Sequence, residues 1–169
     1  VVICPGGAYL GVAYTHEGIQ VAQWMNERGI TALMLRYRMP NGHHDIPLHD
    51  ARTAIALLRD HAAEWGIDPH QVGIMGFSAG GHLASTVSTH FENDSQRPDF
   101  SILIYPVITM DERYTHKVSR EELIGRDAPI ELVDRYSNEK QVSDRTPVTF
   151  LALSDDDGGV PPVNSTMYY

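Results

Sequence analysis

Five short runs dominated by apolar residues set the plan of this chain: Val1–Cys4, Ala32–Arg36, Val72–Phe77, Ile102–Tyr105 and Val148–Leu153. They are continuously apolar rather than alternating, which predicts strands covered by helices on both sheet faces. Helical stretches lie between them. Residues Glu17 to Arg28 place Ile19, Ala22 and Met25 on one side and stop at Gly29, a residue suited to a helix C-terminus. Pro47 to Trp65 spaces Leu48, Ala51, Ile55, Leu58, Ala62 and Trp65 alternately by three and four. That predicts one long helix with a single apolar stripe, opened by a proline in its first turn. Strand–helix alternation implies right-handed βαβ units, a mainly parallel sheet and an α/β fold. The stretch Thr109 to Gln141 is more polar and lacks strand character. It is expected to form short helices as a cap-like insertion over the carboxyl ends of the strands, where ligands bind in such sheets.

The length of 169 residues suits one domain, and no repeat, low-complexity tract or linker divides it. With a formal net charge of −9 and nine scattered histidines, there is no basic stripe to follow a phosphate backbone. Nucleic acid is therefore excluded as the expected partner. No apolar run is long enough to span a membrane. Cys4 is the single cysteine, so no intramolecular disulfide can form, and it reads as a small buried residue ending a strand. The chain opens directly on strand-like sequence, and Asn164 to Tyr169 resembles a helix that has barely begun. Both ends thus read as cut within a fold, and a fragment is expected.

The strand Val72–Phe77 runs directly into Gly76-Phe77-Ser78-Ala79-Gly80-Gly81-His82. Three fixed residues of the pattern G-x-S-x-G arise by chance in about one protein of this length in twenty, so context decides. Here an apolar strand precedes the pattern, and Ala79, Gly80, Gly81 and Ala84 open a helix after it. A serine thrust from a sharp strand-to-helix turn needs neighbours nearly free of side chain. The helix N-terminus then helps to stabilise negative charge at the reacting centre. Ser78 is the candidate nucleophile.

Such a nucleophile needs donors for the oxygen that becomes negative on attack. The N–H of Ala79 is expected to be one. Others are expected from Pro5-Gly6-Gly7-Ala8-Tyr9, the loop after the first strand, through the N–H groups of Gly7 and Ala8. The acid that orients a base should follow a later strand, and Asp155-Asp156-Asp157 follows Thr149–Ser154. Three adjacent aspartates leave that choice open. The base, a histidine, should come last, yet residues 158–169 hold none. His82 lies one helical turn beyond Ser78, where packing or capping suits it better than catalysis. His16, His43, His44 and His49 read as surface or loop-bracing residues. No H-E-x-x-H or tight Cys/His cluster is present, so no metal or other cofactor is expected.

At this point the sequence resembles the α/β-hydrolases grouped with bacterial acetyl xylan and feruloyl esterases, a carbohydrate-esterase-like branch. The matching pieces include Cys4 to Tyr9, His16-Glu17-Gly18, Ala22 to Asn26, Leu35 to Arg38, Asp50 to Ala54, Ala63 to Pro69, Gly76 to Ala84 and Asp155 to Asn164. The resemblance implies Ser78 as nucleophile and Asp157 as acid, four residues before Pro161. It also implies a base beyond residue 169 and Tyr9 as a substrate contact. The implied reaction removes acetyl or similar small acyl groups from plant-polysaccharide sugars, without cofactor. Relatives of this branch are often exported. Two departures stand out: Ala8 replaces a third glycine of the loop, and Gly158-Gly159 replaces bulkier residues beside Asp157. A peptidase resembling prolyl oligopeptidases, and a non-catalytic relative acting as a binding module, are the competing readings.

Overall fold

The computed structural model describes residues 1–169 and contains one five-stranded parallel sheet. Its strands are β1 (Val2–Cys4), β2 (Leu33–Met34), β3 (Gly73–Phe77), β4 (Phe100–Ile104) and β5 (Val148–Ala152), in the spatial order β2-β1-β3-β4-β5. All five fall within or overlap the apolar runs. The order reverses between β1 and β3, so the carboxyl ends of these two strands flank the crevice where open α/β sheets bind ligands.

One face is fully dressed. Helices α2 (Ile46–Asp60) and α4 (Ser78–Thr89) pack there around Val2, Cys4, Ile74 and Leu103, all at most 1% exposed. Cys4 is part of this core, where burial pushes its thiol pKa up. The opposite face carries α1 (Gln20–Asn26), which closes a small cluster of Ile3, Met25, Ala32 and Phe77. That face is only half covered, contrary to the expectation of helices over the whole of both faces: Val148 and Phe150 of β5 are 78% and 62% exposed.

Two predicted helices are remodelled. The segment from Glu17 begins as a π-helical turn, Thr15–Ile19, before α1. It ends with the Ile30 N–H on the Met25 carbonyl and Gly29 at φ +76, a Schellman stop. The predicted helix Pro47–Trp65 breaks at His61 into α2 and the single turn α3 (Ala62–Trp65). The stripe holds through Ala62, 3% exposed, but the break rotates Trp65 outward, where it stacks on His61 at 4.8 Å.

The polar stretch 109–141 forms α5 (Lys117–Ile124), α6 (Ile130–Tyr136) and a 3-10 turn at Asn138–Lys140. It is bonded to the flank of α4: Asn138 Nδ2 donates to the His82 carbonyl and to the hydroxyls of Ser85 and Thr86. The chain closes with α7 (Val163–Tyr168). None of these helices is long and apolar enough to cross a membrane.

Candidate active site

At the end of β3, Phe77 is extended (φ −117°, ψ 135°), and Ser78, first residue of α4, sits at φ +50°. That is the left-handed region, which costs a non-glycine residue about 1–2 kcal/mol and is concentrated at functional turns. The bend is possible because its neighbours lack side chains. A Cβ on Gly76 would collide with the Gly80 carbonyl, and one on Gly80 with the carbonyl oxygens of Cys4 and Pro5. The second collision shows how closely α4 is drawn against the end of β1. The Ser78 carbonyl accepts the Val107 N–H at 3.0 Å, tying the bend to the chain after β4. The side chain is half-buried rather than enclosed.

The loop after β1 lies against this bend, since a Cβ on Gly6 would stand 3.0 Å from Cβ of Ser78. Three successive residues adopt positive φ: Gly7 (134°), Ala8 (56°) and Tyr9 (60°). The Gly6 carbonyl accepts from Ala13 N–H at 2.8 Å, and the Gly7 carbonyl from the N–H groups of Leu10 and Gly11 at 3.0 and 3.2 Å. In a trans peptide the next N–H points opposite to the carbonyl. The N–H groups of Gly7 and Ala8 are therefore aimed away from these bonds, and neither donates to any protein group. The methyl of Ala8 leaves its N–H free. Ala79 lies in the first turn of α4, where N–H groups have no intrahelical acceptor. The three expected donors and Ser78 thus belong to one locality.

Tyr9 departs from its expected place. The left-handed backbone turns its ring inward, 2% exposed, and its hydroxyl meets Nδ1 of His82 at 2.9 Å. Its side chain anchors the loop to α4.

Among the three aspartates after β5, the environments differ. Asp155 and Asp156 are exposed, and Asp156 bonds the Ser154 hydroxyl. Asp157 is half-buried, and its Oδ1 accepts the N–H groups of Gly159 and Val160 at 2.8 and 2.9 Å. Two backbone donors fix the carboxylate in place.

The sequence profile for the alpha/beta hydrolase fold matches residues 1–166. The chain belongs to this family. It is 44% identical over 98% of its length to the acetylxylan esterase of Xylanibacter ruminicola, and 37% identical to endo-1,4-beta-xylanase B of Butyrivibrio fibrisolvens. It spans only 35% and 28% of those two relatives. Among solved structures, the acetyl ester-xyloside bifunctional hydrolase from Caldicellulosiruptor lactoaceticus superimposes with a TM-score of 0.93 at 42% identity. There the match covers 99% of this chain and 65% of the other.

Within this α/β-hydrolase, the histidine nearest Ser78 in sequence is not available as a base. His82 is wholly buried, with Nε2 2.8 Å from the Tyr136 carbonyl and Nδ1 on the Tyr9 hydroxyl. A carbonyl only accepts, so Nε2 carries the proton and Nδ1 accepts from Tyr9. Burial pushes the ring pKa down to about 4. His44 braces Tyr136 through its hydroxyl at 2.7 Å, while His43 and His49 are exposed. His16 is also exposed, 3.9 Å from Glu17.

One group was not singled out from spacing or residue chemistry. Glu17, carried by the π-helical turn, points its carboxylate into the locality of Ser78: Oε2 accepts the Gly6 N–H at 2.6 Å and Oε1 the Tyr105 hydroxyl at 2.9 Å. Burial and this hydrogen bond push the Tyr105 phenol pKa well above its usual value, with the charges of Glu17 and Asp157 adding to the shift. Tyr105 is thus a donor at any working pH. The only signal in the sequence was the triplet His16-Glu17-Gly18 shared with the esterase branch.

Proposed function

We propose that this chain is the nucleophile-bearing part of a serine carboxylic-ester hydrolase that removes acetyl or similar small acyl groups from plant-polysaccharide sugars. Ser78 at φ +50°, facing a loop with two unengaged N–H groups, carries this reading. The hydroxyl of Ser78 attacks the ester carbonyl, its proton passing to a base. The N–H groups of Gly7, Ala8 and Ala79 hold the oxyanion of the tetrahedral intermediate, which collapses with loss of the sugar alcohol. Water then cleaves the acyl-enzyme by the same steps. Asp157 orients the base and stabilises it once protonated. With His82 neutral and fully engaged, we assign the base to a histidine outside residues 1–169. The choice of acyl group and sugar rests on the acetylxylan esterase and xyloside-hydrolase relatives.

The test is a fluorophosphonate probe on the intact gene product, followed by turnover of 4-nitrophenyl acetate, acetylated xylan and proline-containing peptides. Labelling is expected at Ser78 and lost in Ser78→Ala. Asp157→Asn is expected to lower kcat by about 10⁴-fold, whereas Asp155→Asn and Asp156→Asn stay near wild type. Cleavage of the peptides without the esters would transfer the site to a peptidase. Absence of labelling together with retained xylan binding would establish the inert, sugar-binding alternative instead.

A further inference from the structure

The carboxylate of Glu17 stands where a serine hydrolase has an electrostatic reason not to keep one. It lies on the same side of Gly6 as the nucleophile: a Cβ at Gly6 would be 2.8 Å from Glu17 Oε2 and 3.0 Å from Ser78 Cβ. A negative charge there opposes the negative charge that develops on the substrate oxygen. Yet Glu17 is not a solvated surface acid; its side chain is 13% exposed, with both oxygens engaged.

What it engages explains its place. One oxygen takes the N–H of Gly6, immediately before the peptides whose N–H groups are free. The other takes the hydroxyl of Tyr105, itself left-handed at φ +36° and bonded through its N–H to the Ala152 carbonyl at the end of β5. Two residues on, Val107 holds the Ser78 carbonyl. Glu17 therefore joins the loop after β1 to the turn after β4, which touches both the serine bend and the strand leading to Asp157. Hydrogen bonds to an ionised acceptor are about twice as strong as neutral ones, so the carboxylate is a stiff clamp on a loop held otherwise by neutral hydrogen bonds.

We infer that Glu17 is a positioning residue for ester hydrolysis, clamping Gly6 and Tyr105 so that the Gly7 and Ala8 N–H groups stay aimed at the oxyanion. This rests on the esterase reading above. The spent N–H of Gly6 is then a fixed hinge pin rather than a further donor to the substrate.

The test uses the intact gene product, with Ser78-dependent turnover of 4-nitrophenyl acetate established first. Its absence would overturn the functional reading itself and this assignment with it. Glu17→Ala is expected to lower kcat about 100-fold, the scale of a lost oxyanion donor, with KM changed less than about threefold. The rate of Ser78 phosphonylation, which also forms charge on an oxygen in that hole, falls in parallel. Glu17→Gln keeps an acceptor for Gly6 and can donate its amide N–H to the Tyr105 oxygen, so it restores most of the rate. Tyr105→Phe removes one arm and gives an intermediate loss. Should Glu17→Ala not fold, the Gln and Phe variants decide alone. Rates for Glu17→Ala or Tyr105→Phe within about threefold of wild type, or a loss confined to KM, would overturn the assignment.

Discussion

His82 shows how a residue one helical turn from a candidate nucleophile can be committed to architecture. Its two ring nitrogens join Tyr9 of the loop after β1 to the Tyr136 carbonyl at the end of α6, so it braces two segments against α4. The neutral ring has a consequence for pH. Its pKa falls from 6.5 to about 4 on folding, through burial. As pH drops through 6.5 the unfolded chain takes up a proton that the folded chain refuses. Stability from this group is therefore complete above pH 6.5 and lost between there and about 4, with a slope of about 1.4 kcal/mol per unit. Urea denaturation of the intact gene product is expected to show a loss of about 2 kcal/mol between pH 6.5 and 5. His82→Gln, which does not titrate, should lower stability at pH 7 but flatten most of that slope. His90, also pushed down by burial, leaves a remainder. An unchanged slope would show that another group carries the pH dependence. The bend at Ser78 and the turn at Gly7–Ala8 were legible in the sequence because such backbone turns need small residues at fixed spacing. Glu17 was not, since a lone carboxylate on an amphipathic stretch looks the same whether it faces water or a buried N–H.

At the scale of elements, the decisive contact is between the start of α4 and the end of β1. The crossing is made possible by Gly80, which abuts the carbonyls of Cys4 and Pro5. Because both obstacles are backbone, neither can move aside as a long side chain would. Gly80→Ala is expected to cost at least about 3 kcal/mol, the upper end of the overpacking range. Gly158→Ala, where a Cβ meets nothing within 4 Å, should stay within about 0.5 kcal/mol. Thermal unfolding of the two variants checks the contrast, and comparable stabilities would show that α4 can slide away from β1. The positions of the strands were readable in advance because unbroken apolar runs are what a covered parallel sheet requires. The break at His61 was not: the apolar spacing from Leu48 to Trp65 continues across it, and periodicity registers which positions face inward without registering a change of helical direction.

The molecule as a whole has one well-covered sheet face and one that is covered only near α1. On the second, the side chains of β4 and β5 form an apolar strip that includes Phe150 and Val148, with Ile102 and Ile104 partly buried beside them. β5 is also a sheet edge, with one side unpaired. An apolar strip beside an open strand edge invites pairing between copies. Covering Phe150 and Val148 is worth about 1.5–3 kcal/mol for each side chain, a strong drive for a surface to find a partner. A polypeptide comprising residues 1–169 alone is therefore expected to bind a hydrophobic dye and to self-associate at micromolar concentration. The net charge of −9 slows such association at low salt but is screened as salt rises, so the associated fraction should grow between low and physiological ionic strength. Val148→Thr combined with Phe150→Lys places a charge on the strip and should shift the species towards monomer without unfolding the sheet. Light scattering after size exclusion, with dye fluorescence on the same samples, measures both effects. A monomer that binds no dye at either salt concentration would mean that the strip is covered by a rearrangement of this chain, and the sheet face would then need to be redrawn.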